Sequence, residues 1–117
     1  LANFSGHDLG TMAISDSLFL KKYDRFERVK FEHILWLQAD SNYTEIHTST
    51  DTFIYSTVLK KVETILPEDQ FFRVHRGFIV NKNSITGFAG NTLIINDQKI
   101  PVSNQYRKMV FSWFNTI

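Results

Sequence analysis

The chain has 117 residues, 43% of them hydrophobic and 21% charged, with no cysteine and a formal net charge of +1. That length suits one globular domain, and the lack of cysteine excludes disulfides, thiolate metal sites and a cysteine nucleophile. The longest apolar run, Ile34-Leu35-Trp36-Leu37, is strand-sized and far short of the roughly 18 residues of a membrane span, so no membrane contact is expected.

In chain order, residues 1–17 carry small and polar residues without a sustained period, and read as a linker remnant with Ala13-Ile14 pairing loosely at most. No basic segment followed by a long apolar stretch marks a signal peptide. The leading leucine suggests a piece of a longer protein, and the missing cysteines fit a cytoplasmic setting.

From Leu18 onward, short stretches rich in aromatic and β-branched residues alternate with polar turns, which predicts a mainly antiparallel β fold. The predicted strands are 18–23, 28–31, 34–39, 43–48, 52–56, 71–75, 78–81, 85–88, 92–95 and 99–102. The turns fall at Asp40-Ser41-Asn42, Thr50-Asp51, Gly90-Asn91 and Asn96-Asp97. Two segments follow helical spacing instead. In 57–66, Val58, Leu59, Val62, Ile65 and Leu66 share a face, Ser56 or Thr57 can cap the start, and Pro67 bars continuation. In 104–115, Tyr106, Met109, Val110, Trp113 and Phe114 share a face, with Ser103 available as N-cap. Each short helix has one apolar stripe and should lie on a sheet.

One conflict of pattern is informative. Phe72, Val74, Arg76, Phe78 and Val80 would share a strand face, and burying an unpaired guanidinium among them is prohibitive. The strand should therefore break or bulge at Arg76-Gly77, where glycine permits an unusual backbone, leaving Arg76 on a rim and pointing outward.

Charge is unevenly spread. Residues 1–69 hold seven Lys/Arg and eleven Asp/Glu, a net of −4, whereas residues 70–117 hold six cations and one acid, Asp97, a net of +5. A segment nearly free of acids is what a polyanion-facing surface requires. Enzymatic motifs are lacking: His33, His47 and His75 have no metal-ligand spacing, no Gly-x-Ser-x-Gly elbow occurs, and no phosphate loop is present. No cofactor and no metal are expected. Duplex DNA, by contrast, needs cations for phosphates and forked or amide side chains for base edges. Arg73, Arg76, Lys82, Arg107 and Lys108 can supply the first, and Arg76, Asn42 and Asn104 the second. Ser103 and the amides opening the last helix can also receive a phosphate. Taken singly, each has a plainer role, since lone cations are ordinarily solvated and turn asparagines ordinarily satisfy their own backbone.

In order along the chain, Ile34-Leu35-Trp36-Leu37-Gln38-Ala39-Asp40-Ser41-Asn42-Tyr43, then Leu66-Pro67, then Phe71-Phe72-Arg73-Val74-His75-Arg76-Gly77-Phe78-Ile79-Val80-Asn81, then Ile85 and Ile100-Pro101-Val102-Ser103 form an ordered set of blocks. This set resembles the LytTR DNA-binding domain over roughly residues 18–115. The resemblance implies residues 18–117 as an output domain of bacterial transcription regulators, behind a receiver or other sensory domain. It implies an elongated antiparallel arrangement of small sheets with two short helices, and loops that enter successive major grooves of imperfect direct repeats, with a second copy on the tandem site. By position it assigns the first DNA-facing loop to Asp40–Tyr43, with Ser41, Asn42 and Tyr43 as contacts and Asn42 foremost. It assigns a second contact to Arg76, and a third to Ser103 and Asn104 with Arg107 and Lys108 behind them.

Many family members carry an arginine where this chain has Asn104. Either the base preference differs, since an amide suits adenine, or Arg107 takes over. Asp40 would repel phosphate and so either accepts from a cytosine amine or caps the turn. Lys82 ranks lower as a phosphate contact, and His75 packs or braces the Arg76 turn. Four to six neutralised phosphates would give a salt slope of about −4 to −5. The alternatives are a β-rich protein-interaction or ligand-binding module that has lost its DNA contacts, with an apolar patch or pocket near the phenylalanines, and, more remotely, a hydrolase built on His47 or His75.

Overall fold

The computed structural model describes residues 14–117; Ala13, and with it most of the segment read as a linker, lies outside the described residues. The described residues divide into two units, one ending at Phe31 and one running from Glu32 to Ile117. In the first, β1 (Ser17–Lys22) and β2 (Arg25–Lys30) form an antiparallel hairpin pairing Ser17 with Lys30 and Lys22 with Arg25. Its two-residue turn places Tyr23 at a left-handed φ of 59°. The second strand begins three residues before its expected start, because cross-strand pairing with β1 carries the charged stretch Arg25-Phe26-Glu27 into the ladder despite its weak β propensity.

At the open end of the hairpin, Arg28 donates from Nε to Ser17 Oγ and from Nη2 to Asp16 Oδ1, both at 3.1 Å, while Ser17 Oγ donates to Asp16 at 2.9 Å. The Ser17 hydroxyl foremost, then the Arg28 guanidinium, hold the Asp16 carboxyl below its usual value. A depressed carboxylate stabilises the fold above its unfolded-state pKa, and that contribution fades as pH falls through the lowered value. Arg28→Ala is expected to raise the Asp16 midpoint in a carboxyl-carbon NMR titration; an unmoved midpoint would show that Ser17 alone sets it.

The second unit is built on five antiparallel strands in the order β5-β4-β3-β7-β6: β3 (Ile34–Asp40), β4 (Tyr43–Thr48), β5 (Thr52–Tyr55), β6 (Phe71–His75) and β7 (Phe78–Asn81). The apolar run 34–37 is the central strand, buried on both faces, as its unbroken hydrophobicity requires. On one face Leu37 lies beside Ile46 and Ile79, and Ile46 beside Phe53, all buried. Helix α1 (Leu59–Glu63) packs against β3 and β4 through buried Leu59 and Val62. On the other face a core of Trp36, Val74, Val80, Leu93, Ile95, Ile100, Val102 and Val110 joins the sheet to a three-stranded antiparallel sheet and to helix α2 (Asn104–Phe111). That smaller sheet runs β10-β9-β8: β8 (Gly87–Ala89), β9 (Thr92–Ile95) and β10 (Gln98–Pro101). Its turns use Gly90 at φ 59°, and Asn96 and Asp97 at φ 46° and 66°, the left-handed pair that suits a two-residue hairpin.

Both helices are shorter than their apolar periodicity suggests. The ends continue as tighter i→i+3 turns: Thr64, Ile65 and Leu66 donate to Lys61, Val62 and Glu63, and Ser112 and Trp113 to Met109 and Val110. Neither Ser56 nor Thr57 caps α1; Val58 holds that position without a side-chain bond, and the Thr57 carbonyl instead accepts from Thr44 Oγ1 at 2.6 Å. Ser103 does occupy the N-cap of α2, yet its hydroxyl bonds no helix amide. The break at Arg76-Gly77 is a hairpin turn between β6 and β7, preceded by a bulge between Arg73 and His75. Gly77 needs no left-handed backbone there, and a Cβ on it would meet His75 Nδ1 at an ordinary 3.6 Å. The 85–88 strand is displaced to Gly87–Ala89, because a 3-10 turn over Lys82–Ser84 delays its start.

Candidate nucleic-acid interface

The antiparallel order puts the β3–β4 turn, the β6–β7 turn and the exit of β5 at one end of the five-stranded sheet. The Ala39 N–H donates to the Gly77 carbonyl at 2.9 Å, so the Ser41-Asn42 and Arg76-Gly77 turns are neighbours. Two strand spacings separate them, about 10 Å. The Ser103 N–H donates to the Val74 carbonyl at 3.0 Å, which anchors the start of α2 beside the base of the Arg76 turn. The Val102 N–H donates to the Asn91 carbonyl at 2.9 Å and adds the Gly90-Asn91 turn to the same end. Positions 42, 76 and 104 thus gather at one end of the unit.

Ser41, Asn42, Tyr43, Arg76, Asn104, Arg107 and Lys108 are exposed there or on the first turns of α2, and Ser103 is half-buried. None of these eight side chains has a hydrogen bond, ion pair or ring contact among the described residues. The first turn explains why for Asn42. Ser41, not Asn42, adopts the left-handed backbone, at φ 55°, so the amide is not occupied in shaping its own turn. A non-glycine residue there costs about 1–2 kcal/mol, a strain that structures tend to keep where a tip must be aimed. Asp40 is exposed and its carboxylate caps nothing among the described residues.

Two cations counted toward phosphate binding are engaged elsewhere. Arg73 is mostly covered, bonding Glu63 Oε1 at 3.1 Å and the Arg76 carbonyl at 2.6 Å, because its strand register turns it toward α1. Lys82 sits at the opposite end of β7, with Nζ over the rings of Phe72 at 5.3 Å and Trp113 at 5.5 Å. His75 does brace the turn: its Nδ1 accepts from the Gly77 N–H at 3.0 Å.

Charge and fold now speak for the same thing, a loop cluster with free donors on a β scaffold. The model of the LytTr DNA-binding domain matches residues 24–115. This chain belongs to that family. A solved LytTr DNA-binding domain from Bacillus cereus has a TM-score of 0.70 and 29% identity, covering 84% of this chain and 95% of that one. The sensory transduction protein LytT of Bacillus cereus is 31% identical over 86 residues, 68% of this chain and 35% of the relative. The transcriptional regulatory protein YpdB of Escherichia coli K12 is 28% identical over 96 residues, 76% of this chain and 39% of the relative. The chain therefore spans little more than a third of these curated relatives. Membership makes it a DNA-binding domain and assigns it to no enzyme class. Among the described residues, no helix is long and apolar enough to cross a membrane.

Two features lie outside the LytTr loop cluster. His47 Nε2 contacts Glu45 Oε1 at 2.9 Å, its Nδ1 lies 3.2 Å from Thr52 Oγ1, and its ring stacks on Trp36 at 4.2 Å. The hydroxyl is a threonine's on the edge strand β5, and the set lies four residues up β4 from the turn, about 13 Å away. It ties three strands together. A cleft of 380 Å³ lined by Ile85, Thr86, Gly87, Phe88, Trp113, Phe114 and Asn115 opens at the far end of α2, where Phe88 and Phe114 stack at 4.4 Å.

Proposed function

We propose that this domain binds double-stranded DNA selectively, for transcriptional control, as the output part of a longer bacterial regulator carrying a receiver or other sensory domain and working in the cytoplasm. Residues 18–117 form the binding domain, with the preceding segment as linker. The observation that carries this reading is the convergence of the three tips through the Ala39–Gly77 and Ser103–Val74 backbone bonds, with their side chains unpartnered. Asn42 and Arg76 are the base-reading groups of the two hairpin turns, which are close enough to address one major groove. Asn104, with Ser103, Arg107 and Lys108, addresses the next, and the Asn104 amide favours adenine. Tyr43 and Ser41 position the first turn against the backbone. Two copies occupy imperfect direct repeats.

Anisotropy titrations of labelled duplexes across salt test this. With Arg73 and Lys82 engaged elsewhere and Arg76 on a base edge, Arg107 and Lys108 remain for phosphates, so log K should fall against log salt with a slope of about −2 per domain, shallower than the raw count of cations implies. A flat response, or equal affinity for all duplexes, would sink the proposal. The second reading, a ligand-binding module, is favoured by the Phe88–Phe114 cleft and by a cleft of about 480 Å³ lined by Phe71, Phe72 and Tyr106. It predicts no duplex binding at any salt.

A further inference from the structure

The turn that carries Arg76 is held by more than its own strands. Arg73, three residues earlier on β6, donates from Nη1 to the Arg76 carbonyl at 2.6 Å and from Nη2 to Glu63 Oε1 at 3.1 Å. The Gly77 N–H donates to His75 Nδ1 at 3.0 Å, and the Gly77 carbonyl accepts from Ala39 at 2.9 Å. Both peptide groups flanking Gly77 are thus tied down. The Arg76 side chain itself has no partner among the described residues.

The hairpin needs this brace. Its register shifts between Arg73 and His75, which leaves Val74 out of the ladder and interrupts the strand pairing just before the turn. A one-residue slip reverses the face each side chain takes, which would turn Arg76 away from the loop end. Arg73 is only 18% exposed, and its Nε is buried without a partner among the described residues. A mostly covered guanidinium with an unsatisfied donor is unfavourable as simple packing, whereas a planar fork that holds two acceptors at a fixed angle explains why arginine stands here.

We infer that Arg73, anchored by Glu63 of α1, is a positioning residue for Arg76, and that discrimination among duplexes depends on this clamp. The inference rests on Arg76 reading a base. It makes α1, which carries none of the proposed DNA contacts, an element that controls selectivity.

The test uses the full 117-residue chain, a duplex enriched by it from a random pool, and a scrambled duplex of equal length and composition. Arg73→Lys keeps the charge and loses the two-pronged geometry. It is expected to lower the enriched-to-scrambled affinity ratio roughly three- to tenfold, with scrambled-duplex affinity and salt slope unchanged. Glu63→Gln is expected to move the ratio in the same direction and by less. In an Arg76→Ala background, Arg73→Lys should produce no further loss. In the free protein, the Ala39 and Gly77 amides should exchange several-fold faster in Arg73→Lys while those of Ile46 and Ile79 do not change.

Unchanged exchange at Ala39 and Gly77 would overturn the clamp, whatever Arg76 does. Equal loss of affinity for both duplexes with a shallower salt slope would make Arg73 a phosphate contact and overturn it too. A loosened turn with an intact ratio overturns the clamp if Arg76→Ala does lower the ratio. If Arg76→Ala leaves the ratio intact as well, the base-reading role of Arg76 fails instead, and the inference falls with it.

Discussion

Arg76→Ala is expected to lower the preference for an enriched duplex over a scrambled one by about 1–3 kcal/mol, while Lys108→Ala weakens both duplexes alike and makes the salt slope shallower by about 1. The difference follows from where each cation sits. Arg76 crowns a two-residue turn whose backbone is bonded to β3 through Ala39 and internally through Arg73 and His75. Only the side chain must be ordered on binding, so most of the energy of a two-pronged contact to a guanine edge is available for discrimination. Lys108 is an exposed point charge on a helix, four residues and about 6 Å of rise beyond Asn104. A flexible ammonium suits a phosphate, which is the same for every sequence. Competition anisotropy with both duplexes separates the two cases. If Arg76→Ala costs both duplexes equally, Arg76 is a phosphate contact and selectivity must come from Asn42 and Asn104.

How much of this could be read from the sequence depended on the range of the interactions involved. The strands Tyr43–Thr48, Phe71–His75, Phe78–Asn81 and Thr92–Ile95 were legible to the residue, because each is a short β-branched or aromatic stretch closed by turn residues. The exposed tip at Arg76 was legible for the same local reason, an arginine out of step with an apolar face. The helix ends were not, since hydrophobic periodicity continues past Glu63 and Phe111 while the hydrogen bonding tightens beneath it. Ser41 in place of Asn42 at the left-handed position was also hidden, as both residues tolerate a turn. The gathering of the tips depends on β3 pairing with β7, a partnership about 40 residues apart that no local pattern announces. Arg73 was misread on the same ground. As a cation in a basic segment it resembled a phosphate ligand, and only the fold supplies Glu63 and the Arg76 carbonyl as its partners. The approach of the Asn91 turn to α2 was missed likewise.

The other end of the same β3–β7 pair gives the largest expected loss of stability. Asn81 is fully buried; its Nδ2 donates to the Ile34 carbonyl at 2.9 Å and its Oδ1 accepts from the Asn83 N–H at 3.0 Å. The need for it lies in the sheet. β7 pairs with β3 only over Trp36–Gln38, so on that side the ladder runs out before Ile34, although β4 still pairs Ile34 with Thr48 on the other. An amide, with a donor group and an acceptor group side by side at its tip, closes that gap and starts the 3-10 turn after β7. Asn81→Ala leaves the buried Ile34 carbonyl without its donor and turns the exposed Asn83 N–H to water, and is expected to cost about 2–3 kcal/mol. In a domain of this size that lowers Tm by roughly 10–20 °C. Urea denaturation should show a lower midpoint with an unchanged slope, and a loss below about 0.5 kcal/mol would mean that water replaces both bonds. Asn81→Asp discriminates further. Its oxygen can still accept from Asn83, but a carboxylate would face the Ile34 carbonyl, so it should be no better than alanine at neutral pH and should recover part of the loss on acidification, when the protonated carboxyl can donate. Because this joint lies at the end of the sheet remote from Arg76, the folded fraction of either variant should keep its preference among duplexes, which separates loss of the scaffold from loss of recognition.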